Sequence, residues 1–136
     1  MTVLDASVLV DALVGVGKPG ESARAELREQ TIIEVPAIFG AEATSALRGL
    51  VLRGVLSPDR AVVALHQVQS ARTIQYSFEP FADRLWELRE NLTVYDAWYV
   101  ALAEWLDTEF VTADERLAAA SGPRCSVRWV GASRPP

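Results

Sequence analysis

Short runs of β-branched and aromatic residues alternate with longer segments of helical period along this chain, and that alternation restricts the fold most. A helix that connects two strands returns the chain to the same end of the sheet, so the strands pair in parallel. We therefore predict an α/β fold with three layers, α/β/α, and a central, mainly parallel sheet of about five strands. The strands are expected at residues 2–4, 31–35, 73–76, 110–112 and 126–130.

The chain length fits one domain, so residues 1–136 are expected to fold as a single unit, with only the segment after residue 130 loosely attached. No apolar run approaches the roughly 18 residues of a membrane span, and the N-terminus enters a strand without a basic leader. These features predict a cytoplasmic protein with no membrane contact. Cys125 is the only cysteine, which excludes an internal disulfide, and we expect it to be a small core residue.

The charge balance argues against a general nucleic-acid coating protein. The net charge is −5, and nonspecific affinity for nucleic acid comes from Lys and Arg that neutralise phosphates. Twelve of the 13 basic residues are Arg, however, and Arg binds phosphate in a planar, bidentate geometry. A local Arg-lined groove remains compatible with the sequence. Arg48, Arg53, Arg89 and Arg116 flank the segments discussed next, and Arg116 is the one we select as a phosphate contact.

Acidic residues occur where a parallel sheet would bring them together. Asp5 follows the first strand, Asp114 follows the strand at 110–112, and Asp96 opens a helix expected at 96–107. Strand ends and the helix starts that follow them share one edge of such a sheet. Glu42 lies about one turn into the helix after Pro36 and borders its apolar stripe, so it can lean over the same edge.

Carboxylates gathered in this way favour a bound cation. Two unit charges about 5 Å apart repel by roughly 3 kcal/mol at an effective dielectric constant near 20. Oxygen ligands without His or Cys suit Mg²⁺, with Mn²⁺ as a substitute, and such ions assist hydrolysis of phosphodiesters. The pattern thus predicts metal-assisted phosphodiester hydrolysis.

Each of these acids alone also fits an ordinary structural role. Thr93 and Asp96 form a pattern like a capping box, and an acid in a first turn is stabilised by the helix dipole. Asp5 and Asp114 can cap the helices that follow them, and Glu42 can simply be solvated. The functional interpretation therefore depends on all four acids reaching one edge.

Together these segments resemble a PIN-domain protein, and most closely a bacterial VapC-like toxin, over essentially the whole chain. The resemblance is carried by Val3-Leu4-Asp5-Ala6-Ser7, the Glu42 helix with Ala46-Leu47-Arg48, the segment Thr93-Val94-Tyr95-Asp96-Ala97-Trp98-Tyr99 with Ala101-Leu102-Ala103, and Val111-Thr112-Ala113-Asp114. It implies a Mg²⁺-dependent endoribonuclease that pairs with a VapB-like antitoxin and forms homodimers.

The same resemblance assigns the site residues. Asp5, Glu42, Asp96 and Asp114 match the acidic catalytic and metal-binding positions, and Ser7 and Thr112 match hydroxyl positions that support them. Ser45 stands where many relatives have Asn. The alternative from another functional class is a catalytically silent PIN-like module that binds a partner protein.

Other motifs are weaker. Gly15-Val16-Gly17-Lys18-Pro19-Gly20 fits the dinucleotide pattern G-x-G-x-x-G, but it does not leave the first strand directly, so we expect a flexible turn between helices. His66 is the only histidine and is expected on a helix beside Leu65 and Val68, so no His-based triad can be assembled at the acidic edge. The aromatic residues Trp98, Tyr99 and Trp105 are expected to pack in the core.

Overall fold

The computed structural model describes residues 2–131 and contains a five-stranded sheet in which all neighbouring strands are parallel. Its spatial order is β3-β2-β1-β4-β5, so the first strand of the chain lies at the centre. The strands are β1 (Val3–Leu4), β2 (Ile33–Pro36), β3 (Thr73–Tyr76), β4 (Phe110–Thr112) and β5 (Val127–Trp129). The predicted α/β architecture is confirmed, and each expected strand is present within two residues of its expected ends.

Helices connect the strands and begin at recognisable signals. Ser57 caps one helix, because its hydroxyl accepts a hydrogen bond from the N–H of Arg60 and Pro58 follows it. Thr93 caps another in the same way through the N–H of Asp96 at 3.1 Å. The helices are α1 (Ala6–Val14), α2 (Gly17–Arg28), α3 (Phe39–Leu52), α4 (Pro58–Ser70), α5 (Ala82–Glu87), α6 (Val94–Trp105) and α7 (Glu115–Ala118), with a 3₁₀ turn at Glu79–Phe81.

The sheet has a helical layer on each face. On one face, the ring of Tyr99 in α6 stacks on Phe110 of β4 with 5.3 Å between ring centroids. On the other face, Arg128 of β5 forms an ion pair with the buried Glu26 of α2 at 2.7 Å. The central strands carry buried apolar side chains on both faces, as expected of a parallel sheet covered on both sides.

Four expectations about local structure need correction. The glycine segment does connect two helices, but only Gly15 and Val16 lie between them, because Gly17 already begins α2. The helix that carries Asp96 begins two residues earlier than expected, at Val94, and ends at Trp105. Trp105 is not a core residue, since 65% of it is exposed on the helix surface. Cys125 is only half-buried, at the rim of the core.

Within residues 2–131, no helix combines the length and apolar character needed to cross a bilayer. The expected loose segment lies almost wholly at 132–136, outside the described residues.

Candidate active site

The central strands bring two of the acidic residues to the same edge of the sheet. β1 and β4 are neighbours, with Leu4 opposite Val111, and the N–H of Asp5 donates to the carbonyl of Val111 at 2.9 Å. Asp5 and Asp114 therefore leave the sheet side by side at its carboxyl edge. The N-terminal turn of α6 brings Asp96, and the first turn of α3 brings Glu42.

Asp5 is the buried centre of this cluster. Only 8% of the residue is exposed, and its Oδ2 atom accepts hydrogen bonds from Thr112 Oγ1 at 2.7 Å and from Ser7 Oγ at 2.8 Å. Burial raises the pKa of the Asp5 carboxyl, the two hydroxyl groups oppose that rise, and the charge of Asp114 adds to it. The carboxylate is thus held in one position in an environment that disfavours its charge.

The two hydroxyl groups also connect the ends of β1 and β4. Ser7 Oγ accepts from the N–H of Ala113 at 3.1 Å, and Thr112 Oγ1 accepts from the N–H of Asp114 at 3.0 Å. Each hydroxyl therefore accepts from the backbone beyond β4 and donates its own proton to Asp5. Ser7 and Thr112, the two residues predicted to support the acids, thus both contact Asp5 directly.

Glu42 and Asp96 are half-buried and interact electrostatically with the centre. Burial raises the pKa of Glu42, the hydrogen bond from Tyr99 opposes the rise, and the charges of Asp5 and Asp96 add to it. Burial likewise raises the pKa of Asp96, the charges of Asp5 and Asp114 add to this effect, and Thr93 opposes it. Asp5 and Asp96 therefore interact electrostatically with each other and with both of the other predicted acids, Glu42 and Asp114.

Asp114 combines a position at this edge with a structural role. Its Oδ1 atom accepts from the backbone N–H of Arg116 at 2.9 Å and of Leu117 at 3.4 Å, which caps α7. The capping role that its position in the sequence suggested is therefore real. Arg116 meets Asp114 through its backbone, while the residue itself is exposed on α7.

Two further residues of the site were missed by the sequence interpretation. The Tyr99 hydroxyl donates to Glu42 Oε1 at 2.7 Å, and burial together with the charges of Asp5 and Glu42 raises the pKa of Tyr99, which keeps this donor protonated. Asp11 is half-buried on α1, where burial and the charge of Asp5 raise its pKa. Helical spacing could have identified both residues. Tyr99 is three residues after Asp96 and Asp11 is four after Ser7, so each lies on the same helix face as a predicted site residue.

The donor set has the chemistry of a site for a hard divalent cation. Within residues 2–131, no three acidic, histidine or cysteine side chains are drawn together at the spacing of an ion-binding group. The four predicted acids offer only carboxylate oxygens, which Mg²⁺ and Mn²⁺ prefer. Burial is the largest cause of the raised pKa values of Asp5, Glu42 and Asp96, and the charges of neighbouring acids, which a cation would offset, add to it.

Comparison with known proteins agrees with this fold. The PIN domain family model matches residues 2–123, so the chain belongs to the PIN-domain family. Within that family it is VapC-like: it is 40% identical to Ribonuclease VapC1 of Mycobacterium tuberculosis over 129 residues, which cover 94% of this chain and 96% of that protein.

Two solved structures share the fold. PAE2754 from Pyrobaculum aerophilum has a TM-score of 0.69 and 22% identity, and the match covers 96% of this chain and 83% of that one. VapC20 of Mycobacterium tuberculosis, described as a toxin that cleaves the sarcin-ricin loop, has a TM-score of 0.66 and 13% identity, with 88% and 94% covered.

Proposed function

We propose that this protein is a metal-dependent endoribonuclease that hydrolyses RNA phosphodiester bonds and acts as the toxin of a toxin-antitoxin pair. The observation that carries the proposal is the group of four electrostatically coupled carboxylates at the carboxyl edge of the sheet, with Asp5 fixed by two hydroxyl groups. Similarity to Ribonuclease VapC1 over nearly the whole of both chains supports RNA as the substrate class.

Asp5, Asp96 and Asp114, with Glu42 beside them, are the residues that would hold Mg²⁺ or Mn²⁺. When bound, such an ion supplies Lewis-acid stabilisation of the negative charge that develops on the phosphate. Ser7 and Thr112 keep the Asp5 carboxylate in one orientation before substrate arrives.

Glu42 is the residue we assign to the attacking water. Its carboxylate either orients the water or completes the cation site, and both roles need a fixed position. The hydrogen bond from Tyr99 provides that position. The raised pKa of Glu42 also makes it a better proton acceptor than an exposed glutamate, since a more basic carboxylate takes a proton more readily.

Assembly belongs to the same proposal. We expect a homodimer and a complex with a VapB-like antitoxin that carries an Arg-bearing end able to reach the acidic edge, in the cytoplasm where RNA is available. Light scattering on the isolated chain tests the homodimer, and co-purification with the product of a neighbouring gene tests the antitoxin. A monomer at micromolar concentration would contradict the first expectation.

Single substitutions of the four acids test the proposed chemistry. Asp5→Ala, Glu42→Ala, Asp96→Ala and Asp114→Ala should each lower RNA cleavage by at least about a hundredfold, and double variants should be little worse, because an incomplete group no longer works as a unit. EDTA should stop cleavage, and Mg²⁺ or Mn²⁺ should restore it. The readout is cleavage of labelled RNA by protein whose folding is verified by circular dichroism.

His66→Ala and Cys125→Ala are the controls, because His66 is exposed on α4 and Cys125 lies at the core rim. Both should cleave RNA at close to the wild-type rate. Cleavage that persists in EDTA, or a loss in His66→Ala as large as in Asp96→Ala, would exclude the metal mechanism. A folded wild-type protein that cleaves no RNA with either metal would favour the silent binding module.

A further inference from the structure

An open groove of about 480 Å³ runs between α1 and α3 from the acidic cluster. Ser7 and Glu42 belong to both the cluster and the groove, so the two are continuous. Beyond them the groove is lined by Ser45, Gly49 and Arg53 on the α3 side. The Arg53 guanidinium lies over Gly49, and Glu42 and Gly49 are separated by seven positions, which corresponds to about 10 Å along a helix axis. The groove is thus long enough to hold more than the reacting phosphate.

Gly49 makes room for the guanidinium group of Arg53. A Cβ atom at Gly49 would lie 3.1 Å from Arg53 Nη1, so the Arg53 side chain folds back along α3 over the bare glycine backbone. The arginine is exposed and lies beside the groove rather than pointing away from it. Its position follows from the four-residue spacing, which places residues 49 and 53 on the same face of the helix.

Two acids, Asp11 and Glu42, line this groove, so Arg53 marks the position along it where a phosphate group of a polyanion would bind. The chain has a net charge of −5, and the acidic cluster repels phosphate groups that no metal neutralises. Among the described residues that line this groove, Arg53 is the one basic side chain. An arginine presents a planar fork of N–H donors that matches a phosphate, and the hydroxyl of Ser45 adds a further polar group to the lining.

We propose that the α1–α3 groove is the path of the RNA strand and that Arg53 binds a backbone phosphate flanking the cleaved bond. This inference rests on the proposed ribonuclease function. It adds a residue that binds the substrate at a distance from the bond that is cleaved. Arg53 acts as a positioning residue, so it should determine KM and leave kcat almost unchanged. The sequence alone did not distinguish Arg53 from Arg48, whereas the structure places them in different grooves of α3.

The test measures cleavage kinetics with a synthetic single-stranded RNA that carries the sequence cleaved by the wild-type protein. Arg53→Ala should raise KM about tenfold, as expected for one charged phosphate contact, with kcat nearly constant. The slope of log KM against log salt concentration should become shallower by about 0.7, the value for one phosphate of a single strand. Arg53→Lys keeps the charge and should retain the wild-type salt slope.

Arg48→Ala is the matched control. Arg48 is an exposed arginine of the same helix, but it lines the apolar groove between α3 and α4. Its loss should change neither KM nor the salt slope. Removal of nucleotides from the RNA one at a time should raise the wild-type KM sharply at one length, and Arg53→Ala should not show that step.

Each outcome separates this inference from the proposed function. Wild-type cleavage with equal KM values for Arg53→Ala and Arg48→Ala would overturn the role of Arg53 and leave the ribonuclease proposal standing. A fall in kcat without a change in KM would also overturn it, because Arg53 would then act in the chemistry. A wild-type protein that cleaves no RNA would overturn both proposals.

Discussion

At the scale of single residues, the site is built around the fixed carboxylate of Asp5. Two hydroxyl donors meet one oxygen of a nearly buried carboxylate, and both hydroxyl groups are themselves held by backbone N–H groups beyond β4. The four acids were predicted from their places in an α/β pattern, because strand ends and helix starts meet at one edge. Tyr99 was missed because its aromatic ring does belong to the core, as predicted, while only its hydroxyl reaches Glu42.

Replacement of Tyr99 by Phe tests whether this hydroxyl positions Glu42. Tyr99→Phe keeps the ring that stacks on Phe110 but removes the donor to Glu42 Oε1. The free energy of unfolding should fall by about 1 kcal/mol, and RNA cleavage should fall about tenfold to a hundredfold, as for other residues that orient a ligand or base. Urea denaturation and cleavage kinetics measure the two effects.

Tyr95→Phe is the control for that experiment. Tyr95 lies on the same helix, and 55% of the residue is exposed. This variant should match the wild type in both measurements. Equal cleavage by the Tyr99 and Tyr95 variants would show that Glu42 needs no donor at Oε1.

At the scale of elements, the strands were easier to predict than the corner between α1 and α2. β3 and β4 have their expected bounds, because a short β-branched run flanked by polar residues is typical of a strand. The glycine-rich segment was interpreted as a flexible turn, but it packs tightly. A Cβ atom at Gly20 would collide with the backbone of Gly15, and Arg24 donates to the carbonyl of Gly15 at 3.1 Å. The glycines there allow the two helices to approach closely. Composition alone does not distinguish glycines that permit close packing from glycines that make a segment flexible.

Two other glycines near the end of α3 should respond to alanine in opposite ways. Gly49 has helical backbone, and the atom nearest to an added Cβ is the movable end of Arg53. Gly49→Ala should therefore raise the free energy of unfolding by about 0.5–1 kcal/mol through helix propensity. Gly54 has open space but a φ of +73°, so Gly54→Ala should lower it by about 1 kcal/mol through backbone strain.

The midpoints of urea denaturation compare these variants, with the wild type as the common reference. A shift of the same sign in both variants would contradict the expectation. Gly49→Ala also places a methyl group against the guanidinium of Arg53. If Arg53 binds RNA, the more stable variant should also have a higher KM, a combination that a general loss of structure does not produce.

At the scale of the whole molecule, the fold collects negative charge at one edge and balances it elsewhere. Glu26 and Glu109 share Arg128, and Glu104 and Glu87 share Arg84, so these acids are neutralised by ion pairs. Asp5, Glu42 and Asp96 of the site have raised pKa values instead. The sequence predicted which acids would meet, from topology, but not how deeply Asp5 is buried or how its charge is held. Those properties depend on side-chain packing that no short pattern encodes.

This contrast predicts an unusual dependence of stability on pH without metal. Asp5, Glu42 and Asp96 have higher pKa values in the folded state than the ordinary 3.8 of Asp and 4.5 of Glu. The folded state therefore binds protons more readily than the unfolded state, and stability decreases as pH rises through the raised pKa values. In EDTA, the urea midpoint should increase as pH is lowered from 7 towards about 4.5. The limit lies there because Glu104 begins to lose its ion pair with Arg84 at lower pH. Burial raises the pKa of Glu104, but its hydrogen bonds with Arg84 outweigh that effect, so the pKa is lowered overall.

Asp96→Asn should flatten that slope and raise the metal-free midpoint at pH 7. Asp59 is an exposed acid on α4, and Asp59→Asn should do neither.

Saturating Mg²⁺ should reverse the sign of the slope of stability against pH. A cation that binds only the folded state adds about 2.7 kcal/mol at a hundred times its Kd, and protons compete with it for the same carboxylates as pH falls. The measurement is a set of urea titrations from pH 4.5 to 7 in EDTA and in MgCl₂ at matched ionic strength. Parallel curves in the two buffers would mean that Mg²⁺ does not bind the acidic edge, and a wild-type slope in Asp96→Asn would remove Asp96 from the coupled group.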